Sequence, residues 1–268
     1  MELTIGCTTR PFNKLTLAEA LAHIAEAGYT DVAVFSHGGK VPVNAESTAS
    51  EIAGVRKAAA DAGLRPSMVI GGTRLEQGLD AAVDNYRRLI DNVAAVGATW
   101  LLDCGTGNEK LYEDYFELMR RCAPHAQSCG VRITMKPHGG ISLTAEDLAR
   151  AHEKVNHPAF GICYDPGNLV YYTKGARRPG KDATEIASRV STAIIKDCKV
   201  ENDVPDVMVT AGDGLVDFPL VLGNLARGGF RGPFYVECVA GTELPRIKRN
   251  VAFTLGYVKG ILAGFAAG

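Results

Sequence analysis

The stretch TWLLDCGTGNEKLYEDYFELMRRCAPHAQSCGVRITMKPHGG, residues 99–140, contains the unit that decides the fold. An apolar run at 99–105 predicts a strand, and apolar residues then recur at helical spacing over 109–130. A second alternating apolar run at 131–137 predicts another strand. Strand, helix and strand in this order are typical of a parallel sheet with helical crossovers.

The same alternation repeats along the whole chain. Apolar runs predict strands at 3–8, 30–35, 65–72, 99–105, 131–137, 159–166, 190–198 and 233–241. Helical patterns separate these runs and close the chain at 243–264. Eight strands and eight helices predict an α/β protein, a single (β/α)8 barrel domain over residues 1–268. An open doubly wound sheet is the alternative, but no Gly-x-Gly-x-x-Gly motif follows the first strand.

Charge and composition exclude several classes of partner. The net charge is -1 with no long run of one sign, which argues against nucleic acid as a partner. No apolar run is long enough to span a membrane, and the first residues do not resemble a signal peptide. Seven cysteines without a Cys-x-x-Cys pair indicate free thiols. We therefore expect a cytoplasmic protein with no membrane partner.

Polar and ionisable residues stand near the carboxyl ends of the predicted strands, where a barrel carries its active site. The candidates are Asp103, Lys136, His138, Asp165, Asn168, Lys196, Asp197 and Glu237. Burying an unpaired charge is costly, so we expect these groups to converge. Each also has a structural alternative: a buried salt bridge for the Lys136–Glu237 pair, a turn for the aspartates and a backbone-bonded loop residue for His138. Because Lys196 and Asp197 are adjacent, only one of them can face the barrel interior.

Several of these motifs resemble the sugar phosphate isomerase/epimerase superfamily, the xylose isomerase-like barrels. TMKPHGG (134–140) resembles the Glu-Asn-His-Gly-Gly motif of that superfamily's fifth strand, and GICYDPGN (161–168) resembles the aspartate motif of its sixth. TAIIKDCK (192–199) resembles a His-x-Lys-Asp motif. AGDGLVDFPLVLGNLARGGFRGPFYVEC (211–238) resembles the Gly-x-Gly-x-Val-Asp-Phe ending and the strand-8 glutamate.

The resemblance implies a metal site that this sequence alters. In the superfamily, Glu, Asp, His and Glu from strands five to eight hold a divalent metal. The matching positions here keep Asp165 and Glu237 but carry Lys136 and Ile194 at the other two. A protonated lysine is a donor and cannot ligate a metal, so the usual four-ligand set is absent and no cofactor is firmly predicted.

We hypothesise that the Lys136 ammonium occupies the metal position and bridges Asp165 and Glu237. The alternative is a weak divalent site for Mn, Mg or Co, rebuilt with His138 or Asp103.

For function, the resemblance implies an isomerase, epimerase or carbon–oxygen lyase that removes a proton next to a sugar carbonyl. The expected catalytic residues are Lys136, His138, Asp165 and Glu237, with Lys136 as a Schiff-base amine in a narrower version. The expected substrate-binding residues are Asp103, Asn168, Lys196 and Arg177. The alternative is a catalytically inert sugar-binding barrel or a non-catalytic partner subunit. A small carbohydrate is the expected partner, and relatives suggest a homodimer or homotetramer.

Overall fold

The computed structural model describes residues 4–266, and its central feature is a closed parallel barrel. The strands in chain order are β1 (Ile5–Thr8), β2 (Asp31–Val34), β3 (Arg65–Ile70), β4 (Trp100–Asp103), β5 (Arg132–Met135), β6 (Phe160–Tyr164), β7 (Val190–Ile195), β8 (Lys199–Glu201), β9 (Val204–Asp206) and β10 (Phe234–Val236). All except β8 and β9 form the barrel, which closes where β10 pairs with β7 on one side and β1 on the other. The predicted (β/α)8 barrel is confirmed.

Helices connect the strands and surround the barrel. They are α1 (Leu17–Glu26), α2 (Ala49–Asp61), α3 (Leu79–Val96), α4 (Tyr112–Ser128), α5 (Ala145–Val155), α6 (Pro166–Tyr172), α7 (Lys181–Ile186), α8 (Phe218–Arg227) and α9 (Leu244–Ala266). A short 3-10 turn, Arg10–Phe12, follows β1. Within the described part of the chain, no helix is both long and apolar enough to cross a membrane.

Strand alternation sorts the core into two layers. Inward-facing residues fill the barrel, including Leu102, Cys163, Ile194 and Tyr235. The opposite faces of the strands pack against the helices in a larger apolar layer. Because residues i and i+2 share a face of a strand, each inward position predicts the direction of the residue two places further on.

Two elements differ from the prediction. The seventh strand ends at Ile195 instead of continuing to 198, and the hairpin β8–β9 follows it outside the barrel. Asn202 and Asp203 turn this hairpin with φ values of 51° and 62°, as a two-residue turn that matches strand twist requires. The Asn-Asp dipeptide was the sequence signal for this turn. The sixth strand ends at Tyr164 instead of continuing to 166, and helix α6 begins at Pro166.

Candidate active site

Four charged side chains enter the barrel at the carboxyl ends of its strands. Each of them stands two positions after a residue that faces the inside of the barrel. The charged residues are Lys136, Asp165, Lys196 and Glu237, and the inward-facing residues that precede them are Thr134, Cys163, Ile194 and Tyr235, respectively. The four residues are 2%, 0%, 2% and 1% exposed. We call them the charged cup. They meet because their strands are neighbours in the closed barrel and because, in each strand, the alternation of side chains turns this position toward the barrel interior.

The two lysines of the charged cup both bridge its two carboxylates. Lys136 Nζ lies 2.7 Å from Glu237 Oε2 and 3.4 Å from Asp165 Oδ2. Lys196 Nζ lies 3.0 Å from Glu237 Oε1 and 2.9 Å from Asp165 Oδ2. Lys136 therefore has the bridging position hypothesised from the sequence, and Lys196, expected as a substrate-binding residue, bridges the same two carboxylates.

Arg10 adds a third cation that the sequence analysis did not identify. Its Nη1 atom lies 3.1 Å from Glu237 Oε1, and its side chain is 44% exposed. Three cations against two carboxylates leave one excess positive charge at this end of the barrel. The signal that could have found Arg10 is its place just after the first strand, where barrels carry functional groups.

Ion pairing in the charged cup favours the ionised forms of Lys136 and Glu237. Burial alone favours the neutral form of Lys136, but Glu237 and Asp165 outweigh it and hold the pKa of Lys136 well above its ordinary value. Burial likewise opposes ionisation of Glu237, yet Lys136, Lys196 and Arg10 bring the pKa of that carboxyl far below its ordinary value. An ammonium ion is not a nucleophile, so the Schiff-base version of the sequence hypothesis receives no support from this arrangement.

His138 lies beyond the end of β5, at the rim of the charged cup. Its imidazole is accessible to solvent and packs against Tyr172, with 5.0 Å between ring centroids. Desolvation by the surrounding protein, followed by the positive charges of Lys136 and Lys196, lowers the pKa of His138. The imidazole is therefore neutral at neutral pH and able to accept a proton. Burial raises the pKa of Tyr172 to about 12, which keeps its hydroxyl protonated beside His138.

Close backbone packing positions Asp165. Its Oδ1 atom accepts a hydrogen bond of 2.9 Å from the Asn168 backbone and caps α6, so the expected turn and the charged contact coexist. Asn168 Nδ2 donates to Pro137 O at 2.7 Å, which joins α6 to the loop after β5. A Cβ atom at Gly167 would lie 2.5 Å from Lys196 O, so only glycine lets α6 approach β7 this closely.

Asp197 faces away from the charged cup, opposite Lys196 as the adjacency of the two residues required. Its carboxylate accepts backbone hydrogen bonds from Cys198, Gly212, Gly214 and Val216 at 2.8–3.0 Å. A Cβ atom at Gly214 would lie 2.2 Å from Asp197 Oδ1. The Gly-x-Gly-x-Val motif thus wraps this carboxylate and fixes the end of β7 below the charged cup.

Asp103 has structural partners instead of a place in the charged cup. It is fully buried and accepts hydrogen bonds from Tyr86 Oη at 3.2 Å, Tyr115 Oη at 2.9 Å and the Gly105 backbone at 2.8 Å. The tyrosines belong to α3 and α4, so Asp103 points toward the helices. Its inward neighbour is Leu102. These contacts favour a structural role for Asp103, whereas the sequence led us to expect substrate binding.

We expect Tyr115→Phe to lower the free energy of unfolding by about 1–3 kcal/mol, because it removes a hydroxyl donor from a buried carboxylate. Urea denaturation measures this change. The KM for any substrate is expected to stay the same. A raised KM with unchanged stability would instead return Asp103 to the binding site.

Arg177 lies outside the charged cup. It is exposed, its Nη1 atom is 3.4 Å from Glu146 Oε1, and it lines a groove of about 280 Å³ between the start of α5 and α7. A cavity of about 560 Å³ opens near the ends of β2 and β3, lined partly by residues 70–74. No member of the charged cup lines either of these two spaces, and all four members are buried.

A divalent metal does not fit the charged cup as these residues form it. Two ammonium groups lie within 3.4 Å of the carboxylate oxygens that would be ligands. Ile194, at the position the resemblance gives to a histidine, belongs to the apolar layer inside the barrel. Two carboxylates facing two cations do not form the oxygen-rich cage that Mg²⁺ or Mn²⁺ requires.

A closed (β/α)8 barrel with ionised side chains at the carboxyl ends of its strands defines a class of barrel enzymes and their non-catalytic relatives. The family described as xylose isomerase-like TIM barrel matches residues 21–255. The chain belongs to this family. No protein with a curated description matches the sequence.

Solved structures share the fold. A xylose isomerase-like TIM barrel protein from Mycobacterium smegmatis, in complex with magnesium, has a TM-score of 0.77 at 20% identity, over 97% of this chain and 98% of that one. A D-psicose 3-epimerase from Clostridium cellulolyticum, with D-tagatose, has a TM-score of 0.78 at 15% identity, over 97% and 99%. A D-allulose 3-epimerase from Methylomonas sp. has a TM-score of 0.75 at 16% identity, over 97% and 98%.

Acid should weaken the fold through Glu237. Because the pKa of Glu237 is lower in the folded chain than its ordinary value of 4.5, the unfolded chain binds the proton more readily. The stabilisation is fully present above about pH 4.5 and is lost as the pH falls toward the folded-state value. Unfolding free energies measured from pH 6 to pH 3 should fall more steeply for the native chain than for Glu237→Gln. Equal slopes would contradict the ionised cup.

Proposed function

We propose that this protein is a sugar isomerase, epimerase or carbon–oxygen lyase that removes a proton next to a carbonyl without a metal in the family's usual position. The observation that carries the proposal is that the ammonium groups of Lys136 and Lys196 each pair with both Asp165 and Glu237, the two carboxylates that the resemblance assigns to a metal site. The names of two structural relatives, both sugar 3-epimerases, support a carbohydrate substrate.

The proton is taken by His138, whose neutral imidazole is accessible at the rim. The electron pair of the broken C–H bond moves to the carbonyl oxygen and gives an enolate. The excess positive charge of the cup and Arg10 stabilises this developing negative charge. Protonation of the same carbon from the opposite face gives an epimer. Protonation of the former carbonyl carbon, with transfer of a proton between the two enediol oxygens, gives an isomer, and departure of a β-hydroxyl with a proton, as water, gives an elimination product.

Arg10 controls access to the cup in this proposal. It is the partly exposed member of the charge network and contacts Glu237. Among the described residues, Asp165 Oδ2 accepts no well-directed hydrogen bond, although two ammonium groups lie near it. Movement of Arg10 off Glu237 would admit a sugar hydroxyl to the carboxylates of the cup. Lys136 and Lys196 then act by their charge.

The burial of the cup also favours a second candidate, an inert sugar-binding barrel or a non-catalytic subunit. Its lysines and carboxylates pair with one another, and all four residues are buried. The experiment that separates the two is a screen of keto-sugars in deuterium oxide, followed by proton NMR. Exchange of a C–H proton for deuterium next to the carbonyl supports the enzyme. Binding of a sugar without exchange supports the inert barrel.

A further inference from the structure

Outside the charged cup, one cluster unites three side chains of metal-binding type. His125 is in the last turn of α4, Cys129 follows that helix, and Asp91 lies on the neighbouring helix α3. His125 and Cys129 are four residues apart, so they share one face of the helix end. One possible ligand atom from each of the three side chains lies within 4.8 Å of the other two, and this is the group of that kind found among the described residues.

The atoms of this cluster nearly match the edges of a zinc tetrahedron. Zinc bonds of about 2.3 Å to sulfur, about 2.0 Å to nitrogen and about 2.1 Å to oxygen give edges of about 3.4–3.6 Å. Cys129 Sγ is 3.6 Å from Asp91 Oδ1 and 3.7 Å from His125 Nε2. The third edge, from His125 Nε2 to Asp91 Oδ1, is a hydrogen bond of 2.7 Å. It must open by about 0.7 Å, which an exposed carboxylate can do by rotation.

A Cys-His-Asp catalytic relay does not explain the cluster. In such a relay the imidazole contacts the nucleophile through one nitrogen and the carboxylate through the other. Here His125 Nε2 is the atom near both Cys129 and Asp91. Convergence of all three groups on one point is the arrangement that a bound cation needs.

We propose that Asp91, His125 and Cys129 form a zinc site that fastens α3 to α4. A thiolate, an imidazole and a carboxylate suit Zn²⁺ better than Mg²⁺, and water would complete the tetrahedron. Binding replaces the thiol proton and the Asp91–His125 hydrogen bond with metal–ligand bonds and releases the proton to solvent.

The position of the site indicates a structural role. The carboxyl ends of α3 and α4 lead into the starts of β4 and β5, so the cluster lies at the end of the barrel opposite the charged cup. Groups at that end of a barrel contribute to stability and not to chemistry. The zinc site is therefore independent of the function proposed above.

Zinc titration of the chelator-treated protein tests this proposal. We expect one zinc equivalent whose binding raises the melting temperature, and a sulfur-to-metal charge-transfer band when Co²⁺ replaces zinc. Cys129→Ala and His125→Gln should each weaken zinc affinity by about 100-fold. Removal of a group that only hydrogen-bonds to a metal ligand already costs roughly 10- to 100-fold, and these variants remove a ligand itself. Circular dichroism of each metal-free variant reports whether it folds.

His23→Gln is the matched control. It removes another surface imidazole, which pairs with Glu26 at 3.1 Å on α1 but has no thiol partner, and zinc affinity should not change. Zinc binding that persists unchanged in Cys129→Ala, or a cobalt complex without the thiolate band, would overturn the proposal. So would a native chain that binds no zinc.

Discussion

His138→Gln lowers the rate of substrate C–H exchange by about 100- to 10,000-fold, the usual effect of removing a general base. The loss appears in kcat, because His138 takes the proton in the transition state and glutamine retains a polar contact to the substrate. The native rate should also fall in acid, as the imidazole becomes protonated. Because desolvation and the two lysines lower the pKa of His138, the half-maximal rate should occur below pH 6.5.

His157→Gln is the control for this prediction. His157 precedes β6 and its Nδ1 atom accepts a backbone hydrogen bond of 3.1 Å from Ala159, at the end of the strand remote from the cup. The control should keep the native rate and the native pH profile. A His138→Gln enzyme with a native rate would remove His138 from the mechanism.

Glu237→Gln lowers the free energy of unfolding by about 3–5 kcal/mol, the usual cost of breaking a buried ion pair from one side. Glu237 accepts contacts from Lys136, Lys196 and Arg10, so its removal leaves three cations facing Asp165. Two of those cations are buried and cannot regain the hydration that they lost on folding. Denaturant unfolding, with circular dichroism as the signal, measures the change.

Lys136→Met is the variant matched to Glu237→Gln, because it removes a cation of the cup instead of a carboxylate. It leaves Lys196 and Arg10 against two carboxylates, so the network becomes neutral instead of gaining positive charge. We expect it to cost about 1–3 kcal/mol, less than Glu237→Gln, since it removes one hydrogen bond but creates no excess charge. The double variant should be more stable than Glu237→Gln alone. If Lys136→Met lowered the free energy of unfolding more than Glu237→Gln does, the net charge of the cup would not determine its stability.

The fold was predictable because the same strand and helix pattern repeats along the sequence. Each strand is a short apolar run and each crossover is an amphipathic helix, so errors at single boundaries do not change the architecture. The hairpin β8–β9 was missed because its three-residue strands are partly or fully exposed and carry little apolar periodicity. Its turn residues, Asn202 and Asp203, were the only strong local signal.

The sequence was sufficient to predict which residues form the charged cup, but not all of the ion pairs between them. Their positions near the carboxyl ends of the predicted strands indicated Lys136 and Glu237, and adjacency indicated the opposite directions of Lys196 and Asp197. The two-sided contact of Lys196 depends on how closely α6 approaches β7 at Gly167, which no local pattern encodes. The partners of Asp103, Tyr86 and Tyr115, lie on the two helices that flank β4 in the chain, and the apolar pattern of those helices does not show that a tyrosine hydroxyl reaches the strand end. Arg10 was missed because its partner, Glu237, is distant in sequence as well.

We propose that the ammonium groups of Lys136 and Lys196 occupy the position where the resemblance implies a metal. A crystal of the protein soaked in Mn²⁺ and measured for anomalous scattering tests this directly. We expect no manganese peak between Asp165 and Glu237, with both lysines within hydrogen-bonding distance of the carboxylates. A manganese ion bound to Asp165 and Glu237, with the lysines displaced, would contradict it.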